Sequence, residues 1–253
     1  MHRFILGLGL CLSLLAGTTA NAAEELKLVT SSWPPYSDSK LPERGLAVQL
    51  VTAALTRAGY EPKVSFESWS RTLEGVEIGV YDVIVAAWYN EERTQKFMFS
   101  KPYLQNRVRL LKRKDSDFKG DTLADLTGLR VGVVRDFAYG DEFDKATNFQ
   151  KIYHNHVIQS LLKLVAKQVD LVIGDELTIT HQIREYMPHE EARLEFLPRA
   201  IELKGLHIAV SKKRPDHAKI VAGFDDAIKL MKADGSYQAI LEKHIKPLTD
   251  VAK

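Results

Sequence analysis

The alternation of apolar and polar positions predicts a first α/β unit near the start of the chain. An apolar strand at 26–30 is followed by a helix at 47–58, whose apolar residues share one face. A second strand at 64–69, a helix capped by Ser70 and a continuous apolar strand at 83–87 complete the unit. The order strand, helix, strand, helix, strand indicates an α/β fold.

The same order of elements returns later in the chain. Strands are predicted at 130–134, 150–153 and 171–174, with a short helix at 139–146 and an amphipathic helix at 158–169 between them. No residue-level repeat accompanies the recurring pattern. The chain therefore has two α/β units of ordinary size.

Three further segments link and complete these units. A strand-like stretch at 108–111 and a charged, glycine-ended stretch at 112–120 are interpreted as the connection between them. An apolar strand at 206–210 and an amphipathic helix at 220–231 close the chain without starting a third unit.

The first 22 residues are predicted to be a secretory signal peptide. Arg3 supplies the positive start, 4–16 form an apolar run, and 20–22 provide a small-residue cleavage site. The apolar run is shorter than the roughly 20 residues that a membrane-spanning helix needs. The only cysteine, Cys11, lies inside this leader, so the sequence predicts a soluble exported product with no thiol and no disulfide.

The charge balance excludes nucleic acid as a partner. Of the 35 basic residues Arg3 lies in the leader, so 34 basic side chains face 33 acidic ones. His154 and His156 alternate as metal ligands do, yet no third ligand accompanies them. We therefore expect no metal. No cofactor is expected either, and the protein is expected to be a monomer.

Short motifs along nearly the whole mature chain resemble those of the family 3 extracellular solute-binding proteins. They follow one another in the order and spacing of that family behind a signal peptide, and they lie at 33–36, Trp69 with Leu73, 79–82, 92–93, 99–103, 123–126 with Gly128, 131–133, 169–175 and 234–237.

The resemblance implies a fold of the type II periplasmic-binding-protein kind, with two α/β lobes joined by two crossing hinge strands. Its first lobe is discontinuous, formed by 23–111 and 207–253, and its second lobe spans 112–206. Pattern alone suggests two consecutive domains, so the crossing topology comes from the resemblance. Bending at the hinge closes the cleft on the ligand.

The resemblance also implies an amino acid site with two charged residues. Arg93 follows the central strand at the carboxyl edge of the sheet, where open α/β sheets bind ligands, and its family counterpart grips the ligand carboxylate. Asp175 ends the strand at 171–174, where the family places the acid that binds the ammonium group. Arg93 could instead be a surface residue paired with Glu91 or Glu92, and Asp175 could be a helix N-cap.

Further residues are expected to line the cleft. Trp33, Tyr36, Trp88 and Tyr139 offer flat surfaces for the carbon chain or the cationic group of a ligand. Ala86 offers its backbone carbonyl. The segment from Asp136 to Tyr139 replaces the Gly-Thr or Gly-Ser anion loop of many members, and its acidic residue disfavours a second carboxylate in the ligand.

The sequence therefore predicts a periplasmic solute-binding protein, not an enzyme. It is expected to capture a neutral or cationic L-amino acid between two lobes and to deliver it to the permease of an ABC importer in the inner membrane. Two alternatives remain open: a periplasmic dehydratase on the same fold, with Glu176 or Asp175 as its acid, and a ligand-sensing module for a membrane receptor.

Overall fold

The computed structural model describes residues 23–120 and 122–249. Within this part of the chain the strands are β1 (Glu24–Thr30), β2 (Tyr60–Phe66), β3 (Val83–Trp88), β4 (Phe97–Phe99), β5 (Leu104–Arg113), β6 (Arg130–Val134), β7 (Gln150–His154), β8 (Leu171–Asp175) and β9 (Leu194–Ser211). The helices are α1 (Leu46–Arg57), α2 (Trp69–Ile78), α3 (Asp141–Lys145), α4 (Val157–Val165), α5 (Glu176–Tyr186), α6 (His217–Ala233) and α7 (Ser236–Thr249).

The strands of the described residues form a single sheet in the order β2-β1-β3-β9-β5-β8-β6-β7, and β4 pairs with β9. The outer pairs are parallel, as expected for strands connected through helices. The two central strands, β5 and β9, run antiparallel to each other along most of their length.

β5 and β9 join the two lobes. The end of β9 pairs with β3 of the first lobe, whereas its beginning pairs only with β5, which in turn pairs with β8 of the second lobe. Helices α1, α6 and α7 pack together on the first lobe, and α4 packs with α5 on the second. The chain thus has two α/β lobes joined by two crossing strands, as predicted. The predicted lobe boundaries fall inside β5 and β9 and stay a prediction.

The strand predicted at 64–69 begins and ends earlier in the structure. β2 covers Tyr60–Phe66, Ser68 occupies the N-cap position, and Trp69 begins α2. β2 is an edge strand that pairs only with β1, which is why it tolerates Pro62. Gly79 ends α2 in the left-handed region, at φ 87°.

The crossing strands are longer than predicted. β5 includes Lys112 and Arg113, which were assigned to the connection, and β9 begins at Leu194 rather than at 206. Both errors have one cause: pairing between the two strands stabilises them, and their half-exposed polar side chains show no strand periodicity. Helix α7 was not predicted.

Buried aromatic residues tie the C-terminal helices to the sheet of the first lobe. The Tyr103 ring lies 5.7 Å from that of Phe224 on α6, and its hydroxyl donates to the carbonyl of Val85 at 2.9 Å. Tyr237 on α7 donates to the Tyr103 carbonyl at 2.6 Å. These contacts complete the first lobe with residues from both ends of the described chain.

Arg214 connects three acidic residues of the first lobe. Its guanidinium lies 2.9 Å from Asp216 and 3.0 Å from Asp82, and it also pairs with Glu24 on β1. The hydrogen bond from Arg214 lowers the pKa of Asp216. The cluster therefore fastens the start of β1 to the loop before α6.

Replacing Arg214 by glutamine should lower the free energy of unfolding by about 2 kcal/mol at neutral pH. Because the pKa of Asp216 is lowered in the folded state, its contribution is present above the unfolded aspartate pKa of about 3.9 and is lost as the pH falls from there through the lower folded value. Urea unfolding between pH 7 and pH 3 should show the two proteins converging. Arg199→Gln at an exposed position is the control, and a constant difference over this pH range would contradict the expectation.

The predicted signal peptide and Cys11 lie outside the described residues. Among the residues that are described, none of the helices combines the length and the apolar character needed to cross a membrane.

Candidate functional site

Three loops meet at the carboxyl edge of the sheet, between the lobes. They follow β1, β3 and β6, and together with the start of α2 they enclose a cavity with about 20 Å³ of free space, which we call the inner pocket. Its wall consists of Ser31, Trp33, Trp69, Ala86, Trp88, Arg93, Phe137 and Ala138. Four of the predicted site residues, Trp33, Ala86, Trp88 and Arg93, are thus brought together.

Aromatic rings crowd the inner pocket. Trp33 and Trp88 meet edge to face at 5.3 Å, and both are almost fully buried. The Phe137 ring lies between them and Trp69, with centroid distances of 6.0 Å to Trp33, 6.0 Å to Trp69 and 5.6 Å to Trp88. These are distances at which aromatic pairs attract one another. The three tryptophans therefore form an aromatic box, and Phe137 fills it.

Arg93 points into this site rather than toward Glu91 or Glu92. One guanidinium nitrogen donates to the backbone carbonyl of Asp136 at 2.5 Å, and the guanidinium lies 5.5 Å from the centre of the Trp69 ring. Burial lowers the pKa of Arg93, and the charge of Asp136 opposes this change. The side chain bridges the first lobe and the loop after β6, so it is placed to hold a ligand group between them.

Asp175 and Tyr36 lie behind the inner pocket. Neither residue belongs to the wall of the inner pocket, nor to the wall of a larger cavity beside it that is described below. Asp175 caps α5 by accepting the Thr178 amide at 2.9 Å, which confirms the N-cap interpretation. Its burial raises its pKa, opposed by the hydrogen bond from Thr178. Burial, followed by the nearby charge of Asp175, raises the pKa of Tyr36.

A buried asparagine links the pocket wall to Asp175. The indole nitrogen of Trp88 donates to Oδ1 of Asn106 at 2.8 Å, and Nδ2 of Asn106 donates to Oδ2 of Asp175 at 3.1 Å. Asn106 belongs to β5 and is fully buried. We call these three residues the Asn106 bridge. It connects β3 of the first lobe, a crossing strand and β8 of the second lobe through polar groups that have no access to water.

Tyr139 supports the pocket from the second lobe. Its ring lies 5.9 Å from both Trp88 and Phe137, and its hydroxyl accepts the amide of Val134 at 2.8 Å. Burial raises its pKa. The Tyr139 side chain is thus held in place by a hydrogen bond to the backbone of the second lobe.

A much larger cavity of about 570 Å³ opens beside the inner pocket, and we call it the outer cleft. It is bounded by Trp33, Trp69 and Phe137, which it shares with the inner pocket, and by polar and apolar residues of both lobes. Its charged or titratable members are Glu67, Arg135, His156 and Tyr186. A cavity of this size is within the range that holds small-molecule ligands.

Sequence reasoning missed two residues of the site. Trp69 was recognised as a family motif residue but was placed at a strand end, and Phe137 was noted only as part of the unusual loop after β6. The signal for Trp69 is its position directly after Ser68, where α2 begins and turns the ring toward the pocket. Phe137 carries no periodic signal, because it lies in a loop.

The two histidines considered as metal ligands have other roles. His154 Nδ1 lies 2.9 Å from the hydroxyl of Ser160, and the side chain of His156 caps α4. Within the described part of the chain, no three metal-ligating side chains come together.

Two lobes, two crossing strands and a site at the carboxyl edges between them define the class of type II periplasmic binding proteins. The fold matches a mutant of ArgBP from T. maritima with a TM-score of 0.75 over 88% of this chain and 95% of that one, at 23% identity. The chain belongs to the bacterial extracellular solute-binding proteins, family 3, whose model matches residues 26–247.

Curated relatives carry names of amino acid binders. The chain is 24% identical to the ABC transporter arginine-binding protein 1 of Escherichia coli K12, over 91% of this chain and 96% of that protein. It is 25% identical to the L-cystine-binding protein TcyJ of the same organism, over 84% of this chain and 79% of that protein. These relatives are binding proteins and not enzymes, in agreement with the prediction from the sequence.

Proposed function

We propose that this chain is a periplasmic protein that captures a neutral or cationic L-amino acid between its lobes and delivers it to the permease of an ABC importer. The observation that carries the proposal is the position of Arg93. Its guanidinium emerges from the first lobe into an aromatic-walled cavity and already holds an oxygen of the opposite lobe. A ligand carboxylate fits the same donor.

The charges around the cavity favour the ligand class. Arg93 supplies one cation for the α-carboxylate, while Asp136 lines a neighbouring cavity and Glu67 lines the outer cleft together with Arg135. A second carboxylate beside Asp136 or Glu67 would be repelled, whereas a neutral or positive side chain would not. The faces of Trp33 and Trp69 suit either an apolar or a cationic side chain.

The ammonium group needs an acceptor, and the proposal assigns this role to Asp175 together with the carbonyl of Ala86. Asp175 lies behind Trp88 and is held by Asn106 and Thr178. Contact with a ligand therefore requires Trp88 to move. The predicted leader supports periplasmic export.

Calorimetry with the mature protein and a panel of L-amino acids tests the proposal. We expect saturable binding of at least one neutral or cationic amino acid in the micromolar range, about −8 kcal/mol, and much weaker binding of aspartate and glutamate. D-enantiomers of the same amino acids are the matched control. Binding of none of the panel, or preference for the acidic amino acids, would contradict the proposal.

A further inference from the structure

The loop after β6 places two of its own groups where a ligand of the site would lie. The carbonyl oxygen of Asp136 accepts hydrogen bonds from Arg93 at 2.5 Å and from the Trp69 indole nitrogen at 3.1 Å. The Asp136 carboxylate accepts a third bond, from the hydroxyl of Ser70 at 3.1 Å. All three donors belong to the first lobe, and the acceptor belongs to the second.

The next residue of the loop supplies an apolar group. The Phe137 ring packs against the three tryptophans of the aromatic box, and its edge-to-face angles of 69°, 78° and 75° match favourable aromatic geometry. About 20 Å³ of free space remains in the inner pocket around it. That volume is room for about one water molecule, so the ring occupies most of the inner pocket.

The backbone of the loop is shaped to present these groups. Asp136 has φ 62°, a left-handed conformation that few residues other than glycine adopt, although aspartate is among the most tolerant. The turn directs the Asp136 carbonyl toward Arg93 and the following side chain into the box. An amino acid ligand offers the same two groups, an acceptor oxygen on its carboxylate and an apolar side chain beside it.

We propose that Asp136 and Phe137 are an internal ligand, and that a solute binds by displacing Phe137 from the aromatic box and the Asp136 carbonyl from Arg93. Phe137 lines both the inner pocket and the outer cleft, beside Ser31, Trp33 and Trp69. A solute in the outer cleft therefore contacts Phe137. Withdrawal of the ring widens the opening between the two cavities, and withdrawal of the Asp136 carbonyl frees the guanidinium of Arg93.

The internal ligand determines what binds. A solute must offer an oxygen acceptor for Arg93 and a side chain large enough to replace the contacts of Phe137 with the box. Small amino acids such as glycine and alanine offer the acceptor but not the large side chain, so they should bind more weakly than larger amino acids. The displacement by an amino acid rests on the proposed function, whereas the occupation of the box by Phe137 does not.

Tryptophan fluorescence reports directly on this site, because the three tryptophans of the box are the only ones in the chain. Phe137→Ala should shift the emission to longer wavelength, as water enters the box. Benzyl alcohol, which replaces the lost ring, should reverse the shift saturably. Phe99→Ala is the matched control: Phe99 is a half-buried phenylalanine of the first lobe that contacts Tyr89 and His207 instead.

Calorimetry on the same proteins tests displacement. Removing a competing internal ligand should raise the affinity for a bound amino acid about tenfold in Phe137→Ala, as expected if the open site is populated about one tenth of the time in the wild type. Phe137→Leu, which keeps an apolar side chain and preserves the loop, should give a smaller gain. Phe99→Ala should leave the affinity unchanged.

The outcomes separate the two proposals. Unchanged emission in both Phe137 variants, without any response to benzyl alcohol, would overturn the internal ligand. Equal or weaker amino acid affinity in both variants would overturn displacement. If no amino acid binds to any of the proteins, the proposed function fails, and the fluorescence and benzyl alcohol results still decide whether Phe137 fills the box.

Discussion

Replacing Arg93 by alanine should weaken amino acid binding by about 10- to 150-fold. A hydrogen bond to a charged group contributes about 1.5–3 kcal/mol, and each 1.4 kcal/mol changes the affinity tenfold. Among the residues described, Arg93 is the only arginine in the wall of the inner pocket, whereas Arg135 lines the outer cleft. Calorimetry with the ligand that the panel identifies measures the loss.

Two further variants separate charge from geometry at this position. Arg93→Lys keeps the positive charge but loses the planar fork of donors, so an intermediate loss of affinity is expected. Arg199→Ala removes an exposed arginine outside the inner pocket and the outer cleft, and it should bind as the wild type does. Wild-type affinity in Arg93→Ala would show that the carboxylate is held elsewhere.

Replacing Asn106 by alanine should lower the free energy of unfolding by about 4 kcal/mol. The change leaves the buried indole N–H of Trp88 without its acceptor and the buried Asp175 carboxylate without one of its donors, and each such loss costs about 1–3 kcal/mol. Urea unfolding followed by circular dichroism measures the effect. Asn155→Ala, at an exposed position, is the control and should stay within about 0.5 kcal/mol of the wild type.

The loss in Asn106→Ala should depend on pH in a defined direction. Burial raises the pKa of Asp175 in the folded protein, so the protonated form is favoured there. Protonated Asp175 therefore stabilises the folded protein. This contribution is fully present below the aspartate pKa of the unfolded chain, and it is lost as the pH rises through the raised pKa of the folded protein. Protonated Asp175 also needs the Asn106 donor less. The difference from the wild type should therefore be smaller at acid pH than at pH 7, and a difference that grows on acidification would contradict the role of the bridge.

The Asn106 bridge also bears on closure of the lobes. It connects groups of β3, β5 and β8 without exposure to water, and its Trp88 end forms part of the aromatic box. A displacement of Trp88 would strain its hydrogen bond to Asn106, which in turn holds Asp175 at the start of α5. Ligand contact by Asp175 and Tyr36 stays a prediction that the binding experiments address.

The sequence by itself determined the class of fold and much of the site. Local periodicity is sufficient for the buried parallel strands and the amphipathic helices, because each is specified by neighbours along the chain. The predicted strands and the family resemblance together placed Trp33, Ala86, Trp88 and Arg93 at strand ends, and parallel strands bring such ends to one edge of the sheet. These four residues accordingly share the wall of one pocket.

Only the tertiary structure decided what fills that pocket and how far the two crossing strands extend. The length of β5 and β9 depends on pairing between residues about a hundred positions apart, which has no local signature. The position of Phe137 depends on a left-handed turn at Asp136 and on donors from the opposite lobe. Contacts between lobes are set by their relative placement, and that placement is a property of the folded chain rather than of any segment in it.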